Sequence, residues 1–513
     1  MVVNLNSPTD DPQLIFESLN STGVDLTDAD KIRNYLLMNE SVENQNYYFD
    51  NYWQHLEERA HYNLNDFFRY YITIKQSKFP RSDRTYETFK ELYESLNINK
   101  NEFFKEINSF SIAYKQVIES ETESYEINDI LNRFNELGVT VVRPFLIVLI
   151  NDLLNHNIEE KEVVKVLRII ENYIARRIIC KIPSNALNKV IASLYKDVYK
   201  VISKNGNDYS FSDILISILL TKKGSGRIPS DEEMLTSLRG ADWYNIRPPY
   251  RNYLFERLEN YQHNEPLSIF EGLRNHNYSI EHIMPQTLSD SWKKELGGNY
   301  EEIHTKYLNT LGNLTITGYN SKYSNRSFDE KQNMDKGFKH SHFTNLNQLP
   351  ARVDVWTASE IQERTNQLSE LALEIWEYPK SSINNVGTSQ NKEMIVYDGE
   401  ETFTGSKIKG FSLIDETYVP VNSWIEFFEE VFRKLMSIDV NIIMNLAKIK
   451  NGKGVEMVVL EKKEDRTTEL APNLYLHNKL SNARKMEFIK QILDLYNIDY
   501  EDLKIDVITS NNE

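Results

Sequence analysis

Tyr278-Ser279-Ile280-Glu281-His282-Ile283-Met284-Pro285-Gln286 and Leu311-Gly312-Asn313-Leu314-Thr315-Ile316-Thr317-Gly318-Tyr319-Asn320 decide how the middle of this 513-residue chain folds. The β-branched and aromatic residues of Tyr278 to Ile283 predict a short strand. Leu314 to Thr317 alternates well enough for a second strand, and Gly318 turns the chain towards a helix beginning near Ser321. Neighbours on a strand point to opposite faces, so Glu281 and His282 diverge unless the strand ends or bulges beside them. Pro285, just downstream, permits that.

The residue types suit cleavage of a phosphodiester, which needs a base to activate water and a cation to neutralise charge on the phosphate and leaving oxygen. His282 suits the base, because a histidine titrates near neutrality. Hard oxygen donors on Glu281 and Asn320 suit Mg²⁺ or Mn²⁺, with water in the remaining positions. Asn313 is placed to hold the His282 imidazole in the tautomer a base requires. A lone Glu-His pair is more often a surface or satisfied core pair. The whole ordered set reverses that preference. His304 precedes the second strand and reads as a solvated loop histidine, with DNA contact as the sharper alternative. His340 and His342 invite a second metal, but no cysteine lies near them.

These residues resemble the HNH (ββα-metal, or His-Me finger) nucleases, and more narrowly the C-terminal nuclease domain of GmrSD-type, modification-dependent (type IV) restriction enzymes. That pattern is an acid-His-Ile-x-Pro-Gln strand, a Leu-Gly-Asn-Leu-Thr strand, then Asn-Ser-Lys and a Phe-x-x-Lys helix. Here it reads Glu281 to Gln286, Leu311 to Thr315, Asn320-Ser321-Lys322, Asn325 and Phe328-Asp329-Glu330-Lys331. The resemblance implies His282 as general base, Glu281 and Asn320 as metal ligands and Asn313 as the orienting residue. It also implies Lys322 and Lys331 as phosphate contacts, with Asn325 and His304 beside the DNA.

A second stretch, Ile15-Phe16-Glu17-Ser18-Leu19-Asn20-Ser21-Thr22-Gly23-Val24-Asp25-Leu26, resembles the Phe-x-x-Leu-Asn-x-x-Gly-x-x-Leu segment of the same family's N-terminal domain. Asn20 to Gly23 supplies turn chemistry. Thr27 or Asp25 can cap a following helix with Ala29, Ile32 and Leu36 on its apolar face. Asn20 and Lys31 are thereby candidates for sensing a nucleotide or a DNA modification. Glu171 to Arg177, with Pro183-Ser184-Asn185 and Leu187-Asn188, matches that domain too. Arg176 and Arg177 either complement a helix C-terminus or contact phosphate or nucleotide. The family's ParB-like region with its Asp-Gly-Gln-Gln-Arg motif is not in the sequence, and Gly224-Ser225-Gly226 has no nucleotide-loop spacing. The expectation is a truncated or split member, or a start downstream of the true one. A partner subunit would supply the missing part, and NTP use by this chain alone is in question.

Composition fits a chain of about three domains. It is 40% hydrophobic and 12% aromatic, which argues against disorder. The single cysteine, Cys180, lies among isoleucines as a structural thiol, excludes an internal disulfide and fits a reducing cytoplasm. Val139 to Leu154, the longest apolar run, is broken by Arg143, Pro144 and Asp152 and is too short to span a bilayer. A net charge of -17 opposes indiscriminate binding to DNA. Locally the balance inverts, with Lys306, Lys322, Arg326, Lys331, Lys336 and Lys339 against Asp329, Glu330 and Asp335.

The predicted fold is mainly α in four parts. Residues 1–125 form a helical, partial N-terminal-type domain that includes an aromatic helix over Asn65 to Ile74. Residues 126–275 form a second helical run, with helices over Glu162 to Ile178 and Tyr250 to Glu259 and a Ser230–Glu233 capping box. Residues 276–379 form the ββα-metal nuclease domain embedded in helices and close with a helix over Ala358 to Trp376. After a polar linker, residues 393–513 form a small α+β accessory domain. Its strands are expected over Ile408 to Ile414, Thr417 to Val421 and Val455 to Leu460, and its helices over Ser423 to Leu435 and Lys485 to Tyr496. The leading expectation is a Mg²⁺-dependent endonuclease of an anti-phage restriction system acting on DNA that carries modified bases or backbone. The competing one is a non-catalytic, regulatory subunit of a defence complex.

Overall fold

The computed structural model describes residues 26–38, 40–184, 186–205, 209–381, 383, 394–397, 399, 401–414, 417–448, 457–460, 462, 467–496, 498 and 500–508. Of residues 205, 320, 321, 448 and 501 only the backbone is described. The fold is mainly α and divides into two compact units, Met1–Val386 and Gly387–Glu513.

In the first unit, capping and helical periodicity set the elements. The Thr27 hydroxyl accepts the Asp30 N–H while the Asp30 carboxylate answers the Thr27 N–H, which starts helix Asp28–Leu37. Its buried residues Ala29, Ile32, Leu36 and Leu37 recur at helical spacing. The aromatic stretch forms Leu64–Gln76 and buries Phe67, Phe68 and Tyr71, with Trp53 stacked on Phe68 at 5.7 Å. Pro144 sits in the first turn of helix Arg143–Leu154, where its missing N–H costs nothing. That helix lies in the core, and no described helix is long and apolar enough to cross a membrane.

Helix Glu160–Ile179 links this core to the segments downstream. Its buried Glu171 receives Arg133 through both carboxylate oxygens and also accepts the Tyr253 hydroxyl at 2.8 Å. Tyr253 lies on helix Pro248–Asn260 and accepts the Trp376 indole N–H at 3.2 Å. The buried pair is paired and hydrogen-bonded on every side, which is how ions survive in a core. The Ser230–Glu233 capping box forms at the start of helix Asp231–Gly240.

Two strands follow, β1 (Ser279–His282) and β2 (Leu314–Thr317), paired antiparallel with Glu281 opposite Thr315 and His282 opposite Leu314. Helices Asp290–Leu296 and Tyr300–Tyr307 lie between them in sequence, and Asn320–Tyr323 and Phe328–Asn333 come after. Ile283, Met284, Trp292, Phe328, Trp356 and Ile361 share a small core of their own beneath the strands. Helix Ala358–Ile375 presses on the Leu311–Asn313 turn so closely that a Cβ on Gly312 would meet the Ile361 carbonyl oxygen at 2.1 Å. Only glycine fits there.

The second unit is a small α+β arrangement. Strands β3 (Ile395–Val396), β4 (Lys407–Leu413), β5 (Val419–Pro420) and β9 (Leu503–Ile508) form one antiparallel sheet, ordered β3-β9-β4-β5. Strands β6 (Val458–Val459), β7 (Thr467–Ala471) and β8 (Leu474–His477) form another, ordered β6-β8-β7. Gly410 in β4 sits under the Tyr418 ring, where a Cβ would come within 2.3 Å. The helices are Trp424–Ile438, Val440–Lys448 and Asn482–Leu495. The first and last contribute Phe427, Phe428, Val431, Phe432 and Ile489 to the core. Strands β3, β7, β8 and β9 are additions to the sequence reading, although Leu503-Lys504-Ile505-Asp506-Val507 in β9 alternates apolar and polar residues.

Candidate active site

His282 ends β1 and is 6% exposed. Its Nε2 lies 3.0 Å from Asn309 Oδ1, and Asn309 Nδ2 donates to Asp242 Oδ2 at 2.9 Å. A carboxylate only accepts, so the Asn309 amide turns its N–H to Asp242 and its oxygen to the histidine. Nε2 therefore carries the proton, and the lone pair of the neutral ring is on Nδ1. Burial, opposed by the Asn309 hydrogen bond, lowers the His282 pKa from its ordinary 6.5, which keeps the imidazole neutral. The Tyr244 ring packs against it with centroids 4.4 Å apart. Asp242 is fixed in turn, its Oδ1 accepting the N–H groups of Tyr244 (3.0 Å) and Asn245 (2.9 Å).

Asn313 does not orient His282. It is fully buried and staples the backbone beyond β1. Oδ1 accepts the Met284 N–H at 2.8 Å, while Nδ2 donates to the carbonyls of Met284 (3.0 Å) and Leu308 (2.9 Å). The Ile283 N–H also bonds the Asn313 carbonyl at 2.9 Å. With Pro285 so near, the chain after β1 loses its ladder partners, and Asn313 supplies them. The buried Arg364 anchors the other side of the turn, donating to the carbonyls of Leu311, Gly312 and Leu314. Orientation of the histidine falls to Asn309 instead.

Lys331 is a second correction. It is not at a phosphate: its ammonium is wholly buried and donates to Glu281 Oε1 (2.6 Å) and to the carbonyls of His282 (2.9 Å) and Ile283 (3.1 Å). All three donors are spent. Glu281 faces this ammonium, away from the Asn309 side of His282, as strand alternation requires. Burial raises the Glu281 pKa and Lys331 opposes it. The other carboxylate oxygen has no hydrogen bond among the described residues.

Asn320 opens helix Asn320–Tyr323 immediately after β2, and its side chain lies outside the described residues. Lys322, on the same helix, and Asn325, just beyond it, are exposed. The Lys322 ammonium lies 5.8 Å from the Tyr319 ring, as Lys336 does at 4.8 Å. His304 is on helix Tyr300–Tyr307 rather than a loop, and its Nε2 donates to the Pro285 carbonyl at 3.0 Å. That bond ties the helix to the end of the β1 segment. Among the described residues no group of three or more His, Cys, Asp or Glu is arranged to hold a metal.

Arg176 is fully buried, donating to the carbonyls of Trp376 and Pro229 and to Asp231, which makes it a structural clamp rather than a sensor. Arg177 is 3% exposed and lines a separate cavity. Lys31 pairs with Asp28 at 3.5 Å, and Asn20 lies outside the described residues. The sequence reading missed Asn309, Asp242 and Tyr244. Asn309 stands four residues before Asn313, inside the quoted motif's approach. Asp242-Trp243-Tyr244-Asn245 announces itself only as a turn, far from His282 in sequence.

No curated protein shows a significant match to the chain. One family model does match, over residues 228–371, a span that holds Asp242, both strands, Asn309, Lys331 and Arg364. That segment is similar to the family described as GmrSD restriction endonucleases, C-terminal domain.

Proposed function

We propose that the chain is a metal-dependent DNA endonuclease of a restriction system, with β1, β2 and the helix after them as its ββα-metal (HNH) unit. The observation that carries the reading is the Asp242–Asn309–His282 relay. It leaves a neutral imidazole, proton on Nε2 and lone pair on Nδ1, at the end of a strand inside the matched segment. Such a group can take the proton of a water attacking phosphorus, with no change of tautomer beforehand. Asn313 and Arg364 hold the strand ends so that the ring does not drift. Glu281, one of whose carboxylate oxygens has no hydrogen bond among the described residues, and Asn320 are the hard donors that would hold Mg²⁺ or Mn²⁺, and water would complete its shell. When bound, the ion supplies charge neutralisation at the phosphate and the leaving oxygen. Lys322 and Asn325, exposed just downstream of β2, are the side chains offered to the DNA backbone.

The substrate proposed is DNA carrying modified bases or backbone, and a partner subunit is proposed to complete the N-terminal recognition region. The test is plasmid cleavage with Mg²⁺ on unmodified and modified DNA, wild type beside His282→Ala. Cleavage is expected to need the metal and to vanish in the variant. Undiminished cleavage by His282→Ala would refute the site. No cleavage of any substrate by the wild type would favour a regulatory subunit.

A further inference from the structure

Hydrolysis of a phosphodiester moves two protons. One leaves the attacking water, and one must reach the oxygen that departs from phosphorus. His282 can meet only the first demand: its Nε2 is committed to Asn309, which leaves Nδ1 for the water. In an in-line displacement the departing oxygen stands on the other side of phosphorus. A second proton donor is needed there.

The chain between β1 and β2 brings one back. Hairpin loops ordinarily have about two to five residues. Here the connection carries helices Asp290–Leu296 and Tyr300–Tyr307, and the second of these returns His304 to the exit of β1. His304 Nε2 lies 3.0 Å from the carbonyl oxygen of Pro285, just beyond His282 in sequence. A carbonyl only accepts, so Nε2 carries a proton. Nδ1 has no hydrogen bond among the described residues, and the side chain is half-buried, with an edge open to solvent. The two imidazoles are thus held alike, each tethered through Nε2 and each with Nδ1 left over.

The field of His304 reaches the His282 ring, as do those of Lys331 and Asp242. Neither of the other two can give a proton. The Lys331 ammonium is wholly buried and all its donors are taken by Glu281 and two carbonyls. At Asp242, burial is outweighed by hydrogen bonds from Asn245 and Asn309, which lower its pKa and keep it a carboxylate. His304 remains.

We propose that His304 is the general acid of the reaction, giving the proton on its Nδ1 to the departing oxygen while His282 takes the proton of the attacking water. The water oxygen bonds to phosphorus and its proton passes to His282 Nδ1. The bond from phosphorus to the departing oxygen breaks, its electron pair stays on that oxygen, and the His304 Nδ1 proton joins it there. The doubly protonated ring has two N–H groups, one for Pro285 and one for this transfer. Afterwards His282 loses its proton to solvent and His304 regains one, so none is gained or lost over a turnover. The role rests on the nuclease reading of His282 and adds the second proton to it.

The test compares two leaving groups. A duplex that the full-length wild type cuts is mapped, and the termini of the product show which bridging oxygen departs. The same duplex is then made with sulfur in place of that one oxygen. Sulfur leaves without a proton, because a thiol ionises at about 8.5, far below an alcohol. Both are cut in Mn²⁺, which accepts sulfur more readily than Mg²⁺ does. His304→Gln keeps a donor for Pro285 but cannot supply the second proton. The ratio of oxygen to sulfur cleavage rates is expected to fall about 10²-fold in this variant. His282→Ala should lose both linkages alike, since the water still needs its base. The ratio is read within one preparation, so a variant that is partly unfolded gives the same answer. An unchanged ratio in His304→Gln overturns the acid role, whether both rates are kept or both are lost together. A wild type that cuts no duplex sinks the nuclease reading and this step with it, whereas a wild type that cuts and a variant with the same ratio sinks this step alone.

Discussion

Asn309 decides what His282 can do. Its amide bridges Asp242 and the imidazole, and without it the ring is free to turn and to exchange tautomers. Asn309→Ala is expected to lower kcat by about 10²-fold with little change in KM, because a misplaced base costs that order in rate. The half-buried hydrogen bonds it removes bear little on stability, so a thermal melt close to wild type separates this outcome from unfolding. A kcat within a factor of two of wild type would show that the relay does not orient the base. The pH profile follows from the same surroundings. Burial lowers the His282 pKa below 6.5, and the base works only when unprotonated. The rate should therefore rise with pH through a midpoint below 6.5, and a midpoint at or above 6.5 would contradict the burial argument. At this scale the sequence was legible for the strand that ends in His282, because its β-branched and aromatic residues are local information. It was not legible for Asn309 and Asp242. Asp242 reaches the histidine only through a turn that tertiary packing brings alongside, and Asn313 has the composition of an orienting residue but the position of a backbone staple.

The β1–β2 pair is too short to be stable alone, since isolated two-stranded hairpins are marginal in water. Three buried side chains replace the missing ladder: Asn313 across the β1 exit, Arg364 under the Leu311–Leu314 carbonyls, and Lys331 beneath β1. Lys331→Met tests the last of these. It leaves the Glu281 carboxylate buried without its partner and the carbonyls of His282 and Ile283 without a donor. Breaking a buried pair from one side costs about 3–5 kcal/mol, so a clear fall in the denaturant midpoint is expected, with the slope unchanged. A stability within about 0.5 kcal/mol of wild type would mean that the pair is not buried as described. The strands, the capped helices and Gly318's turn were readable from periodicity and turn chemistry. The roles of Lys331 and Arg364 were not, because a cation in a Phe-x-x-Lys helix gives no local sign of facing inwards. Strand β3 escaped for a related reason: its two residues owe their pairing to β9, distant in sequence.

Across the whole molecule the net charge of -17 opposes the proposed substrate, while close to the strands the balance inverts. Of the six cations between Lys306 and Lys339, Lys331 is spent internally, while Lys306, Lys322, Arg326, Lys336 and Lys339 are exposed. Lys322 and Lys336 converge over the Tyr319 ring, which makes them the compact pair most suited to neighbouring phosphates. An acidic body of net charge -17 around this patch should make DNA binding depend steeply on salt, since affinity would come from a few contacts against a general repulsion. Each phosphate neutralised adds about 0.9 to the slope of log K against log salt. Lys322→Ala/Lys336→Ala is therefore expected to lower that slope by about 2 and to weaken binding alike on modified and unmodified duplexes, because phosphate contacts carry no base information. Fluorescence anisotropy over a salt series measures both. An unchanged slope would move the DNA path off this face, and a slope near zero in the wild type would remove the electrostatic account altogether. A loss confined to modified DNA would instead place the pair at the recognition step and leave the backbone to Arg326 and Lys339.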